Sequence, residues 1–181
     1  MSNIFNVGGE GKNAAFKKDI IKYFVANGNS TIQELAKDTL LSVPTVTKAV
    51  TELIELGYIV EYGKQETSEG RRPILYGLNP ESGFFVGVEI KVDFINLGLM
   101  NFRGDMVELD DNVPCRVDNT MESVEDLCRL VKQFIDKSEV DKSRIQNIMF
   151  CISGRVNSAT GYSHTLYNFS EQPLTRLLSD I

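Results

Sequence analysis

The chain has 181 residues, a formal net charge of −6, 42% hydrophobic residues and 24% charged residues, which is ordinary for a soluble globular protein of one or two domains. No stretch approaches the roughly 18 consecutive apolar residues of a membrane helix, and the N-terminus lacks the apolar segment and cleavage site of an export signal. Cys115, Cys128 and Cys151 are not spaced for a metal site or disulfides, so we expect a cytoplasmic protein with no membrane partner.

The charge is unevenly distributed along the chain. Residues 1–79 carry nine Lys and Arg and nine Asp and Glu, so the whole formal charge of −6 belongs to residues 80–181. The first part is therefore neutral, and any cationic cluster within it acts as a local contact and not as a broad basic surface.

Apolar residues recur at helical spacing up to about residue 57, which predicts three short helices. Ser30 or Thr31 can cap the second helix, Ser42 can cap the third, and Gly57 can end it. The three apolar sets are Phe16, Ile20, Ile21 and Phe24; Ile32, Leu35, Ala36 and Leu40; and Val46, Val50, Leu53 and Ile54.

Two strand-like runs follow the helices, at residues 58–62 and 74–78, and a polar segment containing glycine joins them. Three helices followed by a hairpin are the order of a winged helix-turn-helix. We therefore expect such a domain over residues 1–79.

From Pro80 the pattern changes to that of an α/β domain, which we expect over residues 80–181. The predicted second domain ends in a helix that is not followed by the strand it should lead to, so we expect this domain to be incomplete. Its predicted elements are strands at 84–90, 92–100 and 106–109, a helix at Met121 to Lys137, a strand at 145–153 and a final helix from residue 174.

The third helix has the composition of a DNA-reading helix. Val46, Ala49, Val50 and Leu53 share one side, which leaves Pro44, Thr45, Lys48, Thr51 and Glu52 on the other side, with Thr47 at the border. Hydroxyl groups bond to base edges and phosphates, lysine neutralises phosphate charge, and the helix dipole favours phosphate at the N-terminus. The alternative is a solvated face of a protein-binding module.

The tip of the predicted hairpin is cationic. No residue from 64 to 72 is apolar, so this tip lies in solvent or against a partner. Arg71 and Arg72 fit a narrow minor groove, where a planar, weakly hydrated cation meets enhanced negative potential, while Gly70 permits close approach and Pro73 fixes the direction of the backbone. Surface ion pairs between these arginines and the two nearby glutamates are an equal alternative.

Three runs of sequence resemble the ROK family of sugar-responsive transcriptional regulators and sugar kinases: "LSVPTVTKAVTELIELGYIVEYG", "EGRRPILYGLNPESGFFVGVEI" and "ISGRVNSATGYSH". The resemblance covers roughly residues 12 to 181. It implies a multidomain α/β protein, with an N-terminal winged helix-turn-helix followed by the first part of a ribonuclease-H-like, actin or sugar-kinase type domain that binds a sugar or sugar phosphate.

The resemblance also assigns candidate sites. Ser153, Gly154 and Asn168 match loops that border the sugar pocket in the family, although a role as a turn residue or cap is the more ordinary explanation. The only histidine, His164, has no ligand-spaced neighbours, so no metal or cofactor is expected. The residues predicted to contact DNA are Ser42, Pro44, Thr45, Thr47, Lys48, Gly70, Arg71 and Arg72.

The same resemblance argues against catalysis. Kinases of the family begin this domain with an Asp-x-Gly-Gly-Thr phosphate turn, whereas this chain reads Glu89-Ile90-Lys91-Val92-Asp93, with side chains where phosphate must approach. We therefore expect a non-enzymatic DNA-binding regulator, a homodimer or homotetramer that represses carbohydrate-utilisation genes under control of a sugar. The alternatives are a ROK-type sugar kinase and a winged-helix module that binds protein.

Overall fold

A computed structural model describes residues 12–64 and 72–179. The chain divides into two compact units, one spanning Met1–Gly83 with Asn101–Asp105, and the other spanning Phe84–Met100 with Met106–Ile181. The domain limits inferred from the sequence, 1–79 and 80–181, stay a prediction.

The first unit contains the predicted three helices and hairpin. Its strands form a three-stranded sheet in the order β1-β3-β2, in which β3 is antiparallel to both neighbours. The elements are α1 (Lys12–Asn27), β1 (Ser30–Thr31), α2 (Ile32–Asp38), α3 (Val43–Glu55), β2 (Ile59–Lys64) and β3 (Ile74–Leu78).

Strand β1 was not predicted from the sequence. It has only two residues, Ser30 and Thr31, which pair with Tyr76 and Leu75 of β3. Two residues are too few to show an alternating pattern, so this strand exists because β3 offers it a partner.

The apolar sides of the three helices meet in one core. Its fully buried members include Ile20 of α1, Leu35 of α2, and Val46, Val50 and Leu53 of α3. These residues belong to the apolar sets that the helical spacing predicted. The spacing therefore identified most of the side of each helix that packs inward, but it was wrong for Ile54 of α3, which is 36% exposed.

The placement of Leu40 inside the second helix was wrong. Helix α2 ends at Asp38, and Leu40 lies in the turn after it with a backbone φ of 57° and 91% of its surface exposed. Its spacing from Ala36 fits the apolar period of a helix, but the chain leaves the helix before reaching it.

The second unit has a four-stranded mixed sheet in the order β6-β5-β4-β7, with β4 and β7 parallel and β5 and β6 antiparallel. Strand β6 is longer than predicted. The elements are β4 (Phe84–Ile90), β5 (Phe94–Asn101), β6 (Met106–Pro114), α4 (Met121–Lys137), β7 (Ile145–Ile152), β8 (Val156–Asn157), β9 (Tyr162–Ser163) and α5 (Leu174–Ser179).

One face of this sheet carries the core of the second unit. Val86 and Val88 of β4 and Leu97 of β5 are buried there together with Leu127 and Val131 of α4. Alternate residues along each strand supply this face, as the period of two requires. Among the residues that the structure describes, no helix is both long and apolar enough to cross a membrane.

Candidate nucleic-acid interface

The N-terminus of α3 is capped by a hydroxyl pair. Ser42 is the N-cap, and its Oγ accepts a hydrogen bond from the backbone N–H of Thr45 at 3.4 Å. The same Oγ lies 2.7 Å from Thr45 Oγ1, so one of the two hydroxyls donates a hydrogen bond to the other. Pro44 occupies the first turn, and no acidic residue does. Because no carboxylate compensates the dipole there, this end of α3 favours an anion.

The exposed side of α3 carries Thr47 and Lys48. The hydroxyl of Thr47 donates to the backbone carbonyl of Val43 at 2.8 Å, one helical turn back. Lys48 is exposed and forms no ion pair or hydrogen bond with any residue in the described ranges. The structure thus places Ser42, Pro44, Thr45, Thr47 and Lys48 on one exposed surface at the beginning of α3.

An ion pair holds α3 against α1 one turn beyond Lys48. Lys17 Nζ of α1 lies 2.6 Å from Glu52 Oε2 of α3, and the two side chains are 6% and 26% exposed. Glu52, predicted to lie on the polar side of α3, is half-buried there because Lys17 holds it against α1. A lysine among the apolar residues of α1 was the only sequence signal for this contact.

Two backbone hydrogen bonds close the C-terminal end of α2 in the turn that leads to α3. The N–H of Leu41 donates to the carbonyl of Ala36 at 3.0 Å, and the N–H of Leu40 donates to the carbonyl of Lys37 at 3.3 Å. This pattern is a Schellman motif, which favours glycine at the position that Leu40 occupies. The turn presents Leu40 and Leu41 to solvent, and Val43 follows them at the first position of α3 with 47% of its surface exposed.

The sequence pattern does not reveal these exposed apolar side chains. The helical period places Leu40 in a helix core, and Leu41 and Val43 flank the cap residue Ser42 without any polar marker of function. Only the backbone conformation shows that all three point away from the core.

The hairpin β2–β3 forms the wing of the motif. Arg72 is exposed just before β3, and Pro73 beside it is half-buried. Gly70 and Arg71 lie outside the described residues. The predicted contacts of these residues with DNA therefore stay a prediction.

The candidate effector residues lie in loops after β7 and β9. Ser153 Oγ donates to the carbonyl of Ile90 at 3.4 Å, and Asn168 Nδ2 donates to the carbonyl of His164 at 3.4 Å. Gly154 has a φ of 126°, and a Cβ there would lie 2.6 Å from the side chain of Thr165. Local contacts account for all three positions, and their role in sugar binding stays a prediction.

The turn between β4 and β5 lies in the segment from Glu89 to Asp93 that the sequence resemblance compares with the kinase phosphate turn. The N–H of Lys91 donates to the carbonyl of Phe94 at 3.0 Å, and Val92 is 61% exposed. Glu89 pairs with Lys91, and the hydrogen bond from Lys91 holds the pKa of the Glu89 carboxyl below its usual value. The described residues contain no group of three or more side chains that could hold a metal ion.

Comparisons with known proteins agree with this architecture. The family description "Winged helix-turn-helix DNA-binding" matches residues 15–60. A crystal structure of a ROK family transcriptional regulator, a homologue of the E. coli MLC protein, superposes with a TM-score of 0.64 at 20% identity, covering 91% of this chain and 41% of that one. The fold class predicted from the sequence is confirmed.

Curated relatives are similar over most of this chain. A xylose repressor of Caldicellulosiruptor bescii is 31% identical over 119 residues, which are 66% of this chain and 29% of the relative. A xylose repressor of Bacillus subtilis is 27% identical over 142 residues, 78% of this chain and 36% of the relative. The chain thus spans about a third of the length of these relatives. With the winged helix-turn-helix and the α/β unit that follows it, this chain is thus similar to xylose repressors in sequence and to a ROK family transcriptional regulator in fold.

Proposed function

We propose that the chain binds operator DNA through the N-terminal end of α3 and represses genes of carbohydrate use. The observation that carries this proposal is the composition of that end: small polar groups, a Lys48 that pairs with no residue of the described part of the chain, and a helix N-terminus without an acidic residue. In winged-helix proteins this part of the helix contacts base edges and phosphates. A cytoplasmic location follows from such a role.

The names of the relatives support the second part of the proposal. Two relatives similar to this chain are xylose repressors. We therefore infer that a pentose or a related sugar controls DNA binding through the complete α/β domain. Ser153, Gly154 and Asn168 are the residues proposed to border that site.

A regulatory role is favoured over a kinase role by the turn between β4 and β5. Lys91 and Val92 place side chains where family kinases place two glycines, and the N–H of Lys91 is bonded within the turn. A phosphate would have to displace these groups to reach the backbone. We propose that the protein is not an enzyme.

The sugar would act through linkage. An effector that prefers one arrangement of the paired DNA-binding units shifts the DNA affinity by no more than its own differential affinity for the two arrangements. This mechanism requires a homodimer or homotetramer, because two winged helices must meet two half-sites.

The test is selection of bound sequences from a random duplex DNA library, followed by affinity measurements over a range of salt concentrations. We expect a roughly palindromic site. We also expect log Kd to rise linearly with the logarithm of the salt concentration, because binding weakens as salt is added. Lys48→Ala should reduce that slope by about one if Lys48 neutralises a phosphate. The absence of enrichment together with salt-independent behaviour would overturn the proposal in favour of a protein-binding role.

A further inference from the structure

The hydroxyl groups at the beginning of α3 have few protons left for bases. Ser42, Thr45 and Thr47 carry three hydroxyl protons between them. Thr47 donates one of these protons to the carbonyl of Val43, and one hydroxyl of the Ser42–Thr45 pair donates a second to the other hydroxyl. Only one of the three remains free to donate outward. Reading bases mainly by hydroxyl donation would require these internal bonds to break.

Apolar groups occupy the same surface. Val43 is 47% exposed at the first position of α3, and Thr47 is exposed one turn further on the same side. Residues four apart on a helix are neighbours, so the Val43 side chain and the γ-methyl of Thr47 form one continuous apolar strip. Leu40 and Leu41, in the turn before α3, are exposed as well.

The major groove offers one apolar group, which is the 5-methyl group of thymine. A helix that enters this groove with its N-terminal residues brings its first turn closest to the base edges. Val43 and Thr47 are one turn apart within that part of α3, and the cationic Lys48 beside Thr47 fits the neighbouring phosphates.

We propose that α3 selects thymines by apolar contact, with Val43 and the γ-methyl group of Thr47 packed against thymine 5-methyl groups. This inference rests on the proposed DNA-binding function and names how that site recognises its sequence. It differs from hydroxyl readout because it depends on methyl groups on both partners.

Removal of the thymine methyl group tests the DNA side. The site recovered from the random library is resynthesised with deoxyuridine in place of each thymine in turn, which removes the methyl and keeps base pairing. We expect the affinity to fall about fourfold at one or two positions of each half-site, the change that corresponds to ~0.8 kcal/mol for a buried methyl-sized group. Equal binding of all uracil-substituted sites would overturn the inference.

Two variants of the same residue test the protein side. Thr47→Ser keeps the hydroxyl and loses the methyl, whereas Thr47→Val keeps the methyl and replaces the hydroxyl with a second methyl. We expect Thr47→Ser to bind about fourfold more weakly and to lose its preference for thymine over uracil, while Thr47→Val binds like the wild type. The reverse order of the two variants would establish hydroxyl readout instead.

Controls separate recognition from folding. Thr51→Ser removes a methyl from the same side of α3 one turn further from the N-terminus, and it should leave DNA binding unchanged. Val43→Ala should weaken binding selectively at one thymine, with helical circular dichroism unchanged. Failure of the wild-type chain to bind any duplex would overturn the proposed function and this inference together, whereas DNA binding that is insensitive to uracil would overturn the inference alone.

Discussion

Helices α2 and α3 are neighbours in one helix-turn-helix, yet their N-termini are finished differently. In α2, Thr31 and Glu34 form a capping box, in which Thr31 accepts from the N–H of Glu34 at 3.2 Å and Glu34 accepts from the N–H of Thr31 at 2.9 Å. In α3 the residue that corresponds to Glu34 is Thr45. The helix that supports the fold thus supplies its own anion, while the helix proposed to read DNA leaves that place to a phosphate.

The C-termini of the two helices differ in backbone strain, which is present at the end of α2 and absent at the end of α3. Both helices end in the same Schellman motif. In α2 the N–H groups of Leu41 and Leu40 donate its two hydrogen bonds. In α3 the N–H of Tyr58 donates to the carbonyl of Leu53 and the N–H of Gly57 donates to the carbonyl of Ile54, each at 2.9 Å. Gly57 has a φ of 79°, which glycine adopts at no steric cost, whereas Leu40 has a φ of 57°. The turn that leads into α3 therefore carries backbone strain at Leu40, whereas the C-terminal end of α3, away from the proposed DNA contact, is unstrained at Gly57.

The largest expected effect comes from the core residue of the α3 ending. Leu53 is fully buried. Its carbonyl accepts the longer-range bond of the α3 ending, as the carbonyl of the smaller Ala36 does in α2. Leu53→Ala should lower the free energy of unfolding by about 3 kcal/mol, through lost burial and the cavity left behind. Urea denaturation followed by helical circular dichroism measures this loss. Ile54→Ala, at a residue 36% exposed, is the control and should cost less than about 1 kcal/mol.

Giving α3 the capping box of α2 should separate folding from DNA binding. Thr45→Glu places a carboxylate three residues after Ser42, which stabilises the helix but repels the phosphate. We expect unchanged or higher stability and a Kd for the selected DNA raised about tenfold. Thr45→Gln forms the same box without the charge and should keep most of the affinity. Wild-type affinity in Thr45→Glu would show that no phosphate lies at this helix end.

Exchange of the residues at the two helix endings tests the strain directly. Leu40→Gly should raise the free energy of unfolding by about 0.5–1 kcal/mol, because the relief of a left-handed leucine exceeds the entropy that glycine adds to the unfolded chain. Gly57→Leu should lower it by about 1–2 kcal/mol; a Cβ at Gly57 would have nothing within 4 Å, so the cost is conformational. Equal thermal shifts of the same sign would contradict this account.

The sequence predicted those features that leave a repeating or capping signal. The buried sides of α1, α2 and α3, the cap residue Ser42 and the ending at Gly57 follow from period and local chemistry, and the structure agrees with them. Strand β1 and the left-handed Leu40 have no such signal, because both depend on neighbouring segments.

The candidate site was predictable in position but not in chemistry. The exposed side of α3 follows from its apolar period, whereas the contact between Lys17 and Glu52 depends on how α1 crosses α3. The bond from Thr47 to Val43 and the Ser42–Thr45 pair decide which hydroxyl protons are free. Such choices between local partners are made by geometry, so no spacing of residue types could reveal them.

The smallest expected effect concerns the charge that α2 has and α3 lacks. The hydrogen bond from the Thr31 backbone, followed by the Thr31 hydroxyl, lowers the pKa of Glu34. Since the folded pKa is below the unfolded value of about 4.3, the carboxylate contributes stability above that pH and loses it as the pH falls through the folded pKa.

Glu34→Gln keeps an oxygen acceptor without a titrating charge. At pH 7 the variant should be less stable by only about 0.3–0.5 kcal/mol, because Glu34 is exposed and water screens its interaction with the helix dipole. The difference between wild type and variant should vanish in urea denaturation below the folded pKa. Thr45→Glu should acquire the same pH dependence in α3, since it builds the same box. A pH-independent difference at Glu34 would assign the effect to packing, and the contrast between the two helix ends would then not be one of charge.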